Sequence, residues 1–293
     1  MTRSDFIRMS GATAVLTAGG DAFAVLGEPD YAALQREVDA VSPQDYQRYL
    51  SGGPVDKAAF ARLDAAFGKV IKEVKDTSVS TRPAVWFLYN MGVIVKTKAS
   101  CFSVDLMHRR AVELAPLLDF ALITHNHDDH YSLDFYRAMD KAGKTVGNNF
   151  ACNYGAYSTG AVGGYTRARK AFRIGDVEIK TALADHNGYL IDFTSTFEIS
   201  VDGLRLFHSG DCSNIEKLEP LSEPDLWFVH PRCGLKVEDG VKKFSPKRTV
   251  IAHINELGHG KWRWTWQDGL MEKAKVEKAG GAAVLPCWGE RIV

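Results

Sequence analysis

A short run of metal-binding side chains, residues 125–130 (His-Asn-His-Asp-Asp-His), constrains this chain more than any other feature of its sequence. The run follows an apolar stretch, FALIT, which predicts a β-strand. If the backbone stays extended, His125, His127 and Asp129 point to the same side, and His130 can turn back toward them. Imidazoles and carboxylates are the ligands that zinc and similar divalent ions prefer. The run therefore predicts a metal centre at the end of a strand.

Length and composition exclude several classes of protein. The chain has 293 residues, of which 45% are hydrophobic and 25% charged, as in ordinary globular proteins with a large core. Lys+Arg and Asp+Glu are equal at 36 each, so no net charge favours nucleic acid. No apolar run approaches the ~20 residues of a membrane span. The five cysteines are scattered, which argues against a disulfide scaffold. We therefore expect a small-molecule or lipid-like substrate as the partner, with no nucleic acid.

The N-terminal residues 1–24 have the features of an export signal. Arg3 and Arg8 precede a weakly apolar stretch, and the small-x-small triplet at residues 22–24 offers a cleavage site. The start also resembles a twin-arginine signal in which Ser4 stands in the place of the second arginine. We therefore expect a periplasmic or otherwise exported protein. A short N-terminal helix, and with it a cytoplasmic protein, is the alternative.

Two regions with different hydrophobic patterns follow. Residues 25–80 predict a helical extension, with its clearest helix beginning at Pro54 after two glycines. Apolar residues recur at helical spacing up to Val74, which indicates a packed face. Residues 81–293 contain short strand-like runs with helices between them, typical of layered α/β or α+β proteins. A helix is predicted after Ser132, and strands are predicted in the runs 84–96, 101–106, 120–124, 177–182, 193–201, 204–208, 226–229, 249–252 and 282–285.

The pattern His-x-His-x-Asp-His after a strand resembles the signature of the metallo-β-lactamase-like hydrolase superfamily. The other landmarks of that family follow in order: His186 after a strand, Asp211 in His-Ser-Gly-Asp, and His253 at the end of a late strand. The resemblance covers residues 84–293 and is greatest to the ascorbate-6-phosphate lactonase and N-acylphosphatidylethanolamine phospholipase D type. It implies an α+β fold, the four-layer αββα sandwich, preceded here by the helical extension.

The resemblance also implies two divalent metal ions, zinc first, with manganese or iron as alternatives. A water shared between them would have its pKa lowered toward neutrality and attack as hydroxide. Two metals, two aspartates and one hydroxide leave about one positive charge, which favours an anionic substrate or transition state. The ligands implied are His125, His127 and His186 for one metal, Asp129, His130 and His253 for the second, and Asp211 as the bridge.

Other histidines close to these ligands in sequence have competing interpretations. His259 competes with His253 for the last ligand position, but His253 directly follows a strand, as the family pattern requires. We therefore expect His259 to meet the substrate or to protonate a leaving group. His208 is expected either to orient Asp211 or to be a packed, hydrogen-bonded histidine. His230 is expected to be structural or to line the pocket.

Aromatic and basic residues offer candidates for substrate binding. Trp262, Trp264 and Trp266 alternate next to His259, and they form either an aromatic wall of the pocket or part of the core. Arg232 and Lys261 are the basic residues best placed in the sequence to meet an anion.

Taken together, these features predict a metal-dependent hydrolase of an ester-type bond, such as a lactone, phosphodiester or thioester, in a small or lipid-like substrate. Asp129, Asp211 and His259 are the expected catalytic residues. A mononuclear-iron persulfide dioxygenase of the same superfamily has the same motif and is the first alternative. A metal-binding protein without turnover is the second. The diiron flavoprotein branch is disfavoured because it resembles His-x-Glu-x-Asp, with glutamate in the place of His127.

Overall fold

Two seven-stranded β-sheets pack face to face in the computed structural model, which describes residues 29–148, 162–163, 170–220 and 222–293. The predicted export signal, residues 1–24, lies outside the described residues and stays a prediction. Strands are numbered in chain order. The first sheet holds β1 (Ala84–Phe87), β2 (Val93–Lys96), β3 (Cys101–Val104), β4 (Phe120–Ile123), β5 (Thr145–Asn148), β6 (Val162–Gly163) and, beside β1, β14 (Glu290–Arg291).

The second sheet has one parallel half and one antiparallel half. Strands β10 to β13 are parallel neighbours, whereas β7, β8, β9 and β10 pair antiparallel. Strands β8, β10, β11 and β12 therefore run in the same direction, and their carboxyl ends lie at one edge. The strands are β7 (Lys170–Ile174), β8 (Val177–His186), β9 (Leu190–Val201), β10 (Leu204–His208), β11 (Leu226–Val229), β12 (Thr249–Ile251) and β13 (Ala283–Val284).

Helices cover the outer face of each sheet. Alternating residues of β1 show how the sheets divide the core, because Val85 faces the other sheet while Trp86 faces the helices. The resulting four layers confirm the predicted αββα sandwich. None of the helices in the described part of the chain is long and apolar enough to cross a bilayer. The helices are α1 (Tyr31–Asp39), α2 (Pro43–Leu50), α3 (Ala58–Asp76) and α4 (Leu133–Lys141) on the first sheet, and α5 (Val237–Phe244) and α6 (Trp266–Lys278) on the second.

Among the sequence-based boundaries that differ from the structure, two have a clear physical reason. Helix α3 begins at Ala58 rather than at Pro54, because Lys57 is still extended (φ −138°, ψ 134°). The run 84–96 is two strands, not one, with a tight turn between them at residues 88–92. This turn is fully buried, so apolar residues flank Asn90 and Gly92 and the sequence lacks the cluster of polar residues that usually marks a turn.

Candidate metal centre

Four strand ends bring together the histidines and aspartates predicted from the sequence. The run 125–130 follows β4 of the first sheet, and His186 is the last residue of β8 in the second. Asp211 lies three residues beyond the end of β10, and His253 lies two residues beyond the end of β12. Because β8, β10 and β12 are parallel, their ends reach the same edge, where the run 125–130 meets them.

Three imidazoles form the first ligand group. One coordinating atom each of His125, His127 and His186 lies within 4.8 Å of the others. His125 Nε2 is 3.1 Å from His127 Nδ1. The ring of Phe193 packs against all three, with centroid distances of 5.2 to 5.9 Å. A set of neutral nitrogen donors against an aromatic ring suits a borderline divalent ion such as zinc.

Asp129, His130 and His253 form the second group, again with coordinating atoms within 4.8 Å of one another. His253 Nε2 is 3.0 Å from Asp129 Oδ2, and His130 Nε2 is 3.7 Å from the same oxygen. Both imidazoles are buried, and the carboxylate is only slightly exposed. The second group thus offers two nitrogens and one oxygen to a cation.

Asp211 lies between the two groups. Its Oδ1 is 3.2 Å from His130 Nε2, and its Oδ2 is 3.5 Å from both His186 Nε2 and His253 Nε2. The carboxylate therefore touches ligands of both groups, as a bridging ligand must. The turn before it requires glycine, because Gly210 has φ +53° and a Cβ there would lie 2.7 Å from Thr194 Oγ1.

The buried donor atoms fit two divalent cations. His130 Nε2, His186 Nε2 and Asp211 Oδ1 are buried without a hydrogen-bond partner among the described residues, although buried polar atoms are normally paired. Tetrahedral zinc, with bonds of about 2.0–2.2 Å, holds neighbouring ligand atoms about 3.4 Å apart. The contacts of Asp211 span 3.2 to 3.5 Å. The imidazoles around Asp211 therefore lie at the spacing that neighbouring ligands of one metal ion would have.

Asp105 contacts the second group through His130 and was not among the residues predicted from the sequence. Its buried carboxylate accepts hydrogen bonds from the Thr124 N–H and Oγ1, both at 2.7 Å, and lies 2.9 Å from His130 Nδ1. This contact at Nδ1 leaves His130 Nε2 to face Asp211. In the sequence, Asp105 lies inside the strand-like run 101–106, and no neighbouring metal-binding residue marks it as part of a site.

The aspartate and histidines of the second group and Asp211 shift one another's pKa values. Burial alone would raise the pKa of Asp129 and of Asp211, but His130 and His253 outweigh it and hold both pKa values well below the usual range. Burial alone would likewise lower the pKa of both imidazoles, but the two carboxylates raise them. In contrast, burial keeps the pKa of His125 well below its usual value. Metal binding at the second group therefore has to displace protons, and it weakens as the pH falls.

His259 lies beside the second group without belonging to it. Its Nε2 is 3.7 Å from Asp129 Oδ2, and its Nδ1 is 3.3 Å from Glu256 Oε2. The His259 side chain is 46% exposed, whereas Glu256 is buried and also accepts the N–H groups of Gly258 and His259. An imidazole held by a carboxylate at the mouth of the centre is placed to meet a substrate.

Three more residues of this edge were only partly anticipated. His230 stacks on His253, with ring centroids 3.8 Å apart, and it forms a further potential ligand group with Asp211 and His253. Cys233 Sγ donates to the backbone oxygen of Asp211 at 2.9 Å. Buried His208 accepts the Gly210 N–H through Nδ1, so it holds the turn before Asp211.

The three tryptophans have different environments. Trp264 and Trp266 are buried in the core, whereas Trp262 is 78% exposed. The guanidinium of Arg232 lies over the Trp264 ring at 4.4 Å, and the ammonium of Lys261 lies over the Trp262 ring at 5.0 Å. Only Trp262 is therefore available as an aromatic wall, and of the two cations only Lys261 lies on its ring.

The helical extension is tied to the turn that carries His259. The guanidinium of Arg263 donates to the backbone oxygens of Val38 and Val41, at and just beyond the end of α1. Its Nε also donates to the backbone oxygen of Gly260 at 2.8 Å. One buried side chain thus links the N-terminal helices to the residue next to His259.

Comparison with known proteins agrees with this fold. Residues 94–234 match a family model described as the beta-lactamase superfamily domain. The structure of a possible metal-dependent hydrolase from Veillonella parvula is 12% identical in sequence with a TM-score of 0.58, over 73% of this chain and 99% of that chain. Igni18, a metallo hydrolase from Ignicoccus hospitalis, is 17% identical with a TM-score of 0.57, over 72% and 97%.

A third similar structure has a different chemistry. CmlA, a diiron beta-hydroxylase from Streptomyces venezuelae, is 14% identical with a TM-score of 0.56 over 70% of this chain. The present chain spans only 53% of CmlA. At these identities the likenesses concern the fold, so the chemistry has to be argued from the site itself.

Proposed function

We propose that the chain is an enzyme of the metallo-β-lactamase superfamily, whose domain model matches residues 94–234, and that it is a two-metal hydrolase of an ester-type bond, of the lactonase and phospholipase D type. The observation that carries this proposal is the position of Asp211, whose two oxygens reach imidazoles of both ligand groups. A single-metal site needs no such bridge. Bound there, two zinc or manganese ions would supply Lewis acidity and a water of lowered pKa as the nucleophile.

The protein side chains contribute charge and proton transfer. Asp129 and Asp211 would supply the negative charge that holds the second cation. His259, at the exposed side of Asp129, is placed to give a proton to the leaving oxygen. Buried Glu256 lies 3.3 Å from His259 Nδ1 and so orients the ring with its Nε2 toward Asp129.

Exposed apolar side chains on both flanks of the centre favour a substrate with an apolar part. Tyr189 and Ile191 are 92% and 60% exposed on the β8–β9 hairpin next to His186. Trp262 is 78% exposed in the same 3₁₀ segment as His259. Large apolar side chains exposed beside a candidate site are candidates for contact with the apolar part of a substrate. We call these three side chains the apolar rim.

The nearby charges favour an anionic group in the same substrate. Arg232 and Lys261 are both exposed and lie in sequence close to His230 and His259 respectively. Their stacking on tryptophan rings holds them in place at the edge of the centre. A substrate with both an apolar part and an anionic group is an amphiphilic, negatively charged ester, such as a lipid-like one.

Metal content per chain tests the proposed function. We expect two equivalents of zinc or manganese by mass spectrometry, and hydrolysis in a screen of phosphodiesters, lactones and thioesters. A chelator should abolish that hydrolysis, and added metal should restore it. One equivalent of iron together with oxygen uptake would instead support the dioxygenase alternative. Protein that binds no metal after reconstitution would refute both.

The apolar rim predicts a preference for long acyl chains. We expect Trp262→Ala to raise KM about tenfold for a long-chain ester and to leave KM for a short-chain ester unchanged, because partial burial of an aromatic ring is worth roughly 1.5 kcal/mol. The measurement is a chain-length series of one ester class. Met271→Ala is the control, since Met271 is another exposed apolar side chain, on α6. Equal effects in both variants would contradict a role for the rim.

A further inference from the structure

The turn between β1 and β2, residues 88–92, lies under the metal centre and is completely buried. It precedes the segment 94–234 that matches the superfamily model, and it contains none of the expected ligands. Three consecutive residues of the turn, Tyr89, Asn90 and Met91, each hold a different segment of the site. The turn is therefore a common support for segments that come from distant parts of the chain.

Asn90 contacts two members of the second ligand group. Its Nδ2 donates to the backbone oxygen of Asp129 at 2.7 Å and lies 3.4 Å from the carboxylate Oδ2 of the same residue. Its backbone oxygen accepts the N–H of His253 at 2.8 Å. Asp129 follows a strand of the first sheet, whereas His253 follows a strand of the second. One residue thus sets the distance between two ligands that the two sheets present separately.

The flanking residues act on other segments. The hydroxyl of Tyr89 accepts the Leu257 N–H at 2.7 Å, within the segment that carries His259. The backbone oxygen of Met91 is 3.0 Å from Nε2 of His208, which in turn holds the Gly210 turn. A change confined to the side chain of Asn90 therefore acts on the second ligand group and leaves these contacts in place.

The backbone at Asn90 explains why asparagine suits this position. Its φ is +56°, a left-handed conformation that asparagine adopts more readily than other residues with a side chain. The amide is a neutral donor, so it orients the Asp129 carboxylate without cancelling the charge that the metal needs. A neutral hydrogen-bond donor of this kind fixes the orientation of a metal ligand and lowers its affinity for the metal little.

We infer that Asn90 is a positioning residue for the second metal site, where its amide holds the Asp129 carboxylate in register with His253. The inference rests on the proposed two-metal function. It concerns affinity for the second metal only, because no atom of the first ligand group is a hydrogen-bond partner of Asn90 among the described contacts.

Stepwise metal titration of the full chain tests this inference. Metal-free protein is titrated with zinc against a chromophoric chelator, and with cobalt, whose absorption spectrum reports ligand geometry. In Asn90→Gly the amide is lost while positive φ remains favourable. We expect the second metal to bind about 10- to 100-fold more weakly, with an altered cobalt spectrum for the second equivalent and an unchanged first equivalent. Asn90→Asp keeps the shape of the side chain but places a hydrogen-bond acceptor against Asp129. It should weaken binding of the second metal further.

Asp202→Gly is the matched control. Asp202 also has positive φ, +45°, but it lies in the β9–β10 turn, and the change to glycine should leave both metals unaffected. Unchanged second-metal affinity in Asn90→Gly would overturn the inference, as would equal weakening of both metals, which would indicate a merely structural role. If the wild-type protein binds a single metal, the proposed function itself fails, and that result is visible before any variant is compared.

Discussion

Asp211→Asn is expected to leave the protein with less than two metals per chain and to lower hydrolysis by roughly 10³-fold or more. Asparagine has no charge, and its amide group would turn an N–H toward one of the three imidazoles that now face the carboxylate. Losing the second cation removes several kcal/mol of transition-state stabilisation, at about 1.4 kcal/mol for each factor of ten in rate. Metal analysis and turnover on the same sample measure both effects.

A matched control separates this effect from a general loss of charge. Asp225 pairs with Arg205 and Lys247 at the start of β11, the opposite end of the strands from the metal centre. Asp225→Asn makes the same chemical change and should leave metal content and turnover intact. An Asp211→Asn protein that keeps two metals and full activity would exclude the bridging role.

The proximity of the candidate ligands was predictable because each lies at or just after the end of a strand. An apolar run that ends in a histidine or aspartate is visible in the sequence, and His186, Asp211 and His253 all occupy such places. The parallel direction of β8, β10 and β12 then brings them to one edge without further information. The expected ligand set depends mainly on strand ends, which are local features.

The supporting residues were not predictable in the same way. Asp105 and Asn90 act through hydrogen bonds to residues far along the chain, and neither belongs to a local pattern of metal ligands. Asn90 in addition lies in a buried turn, so apolar residues surround Asn90 and Gly92 in the run 84–96 and the turn lacks the usual cluster of polar residues. Its role depends on a backbone conformation and on a backbone oxygen, which the residue type alone does not specify.

The tryptophans show a related limit. Trp262, Trp264 and Trp266 alternate as a strand would, but Trp262 ends a 3₁₀ segment and Trp266 begins α6. Alternation therefore does not place them on one face, and only Trp262 is exposed. The ends of the helices decide which of the three aromatic residues is exposed. Those ends depend on tertiary contacts such as the hydrogen bonds from Arg263 to α1.

His259→Gln is expected to lower kcat by about 10²- to 10⁴-fold for an ester with an alkoxide leaving group, without loss of metal. Glutamine can donate a hydrogen bond but cannot transfer a proton, so the leaving oxygen would depart as the anion. An ester with a nitrophenol leaving group needs no proton, and its hydrolysis should change little. Comparing the two leaving groups in wild-type and variant protein therefore isolates proton transfer from binding.

Glu256→Gln provides the second half of this comparison. Glutamine keeps one acceptor oxygen for the Gly258 N–H, but it replaces the oxygen that accepts the His259 N–H and removes the charge beside the imidazole. We expect a smaller loss in kcat than in His259→Gln, in the same direction and again confined to the poor leaving group. If both leaving groups lose activity equally, or if metal is lost from His259→Gln, then His259 acts as a ligand or a packing residue. In that case the proton must come from another group, and His230, stacked on His253, is the next imidazole at this edge.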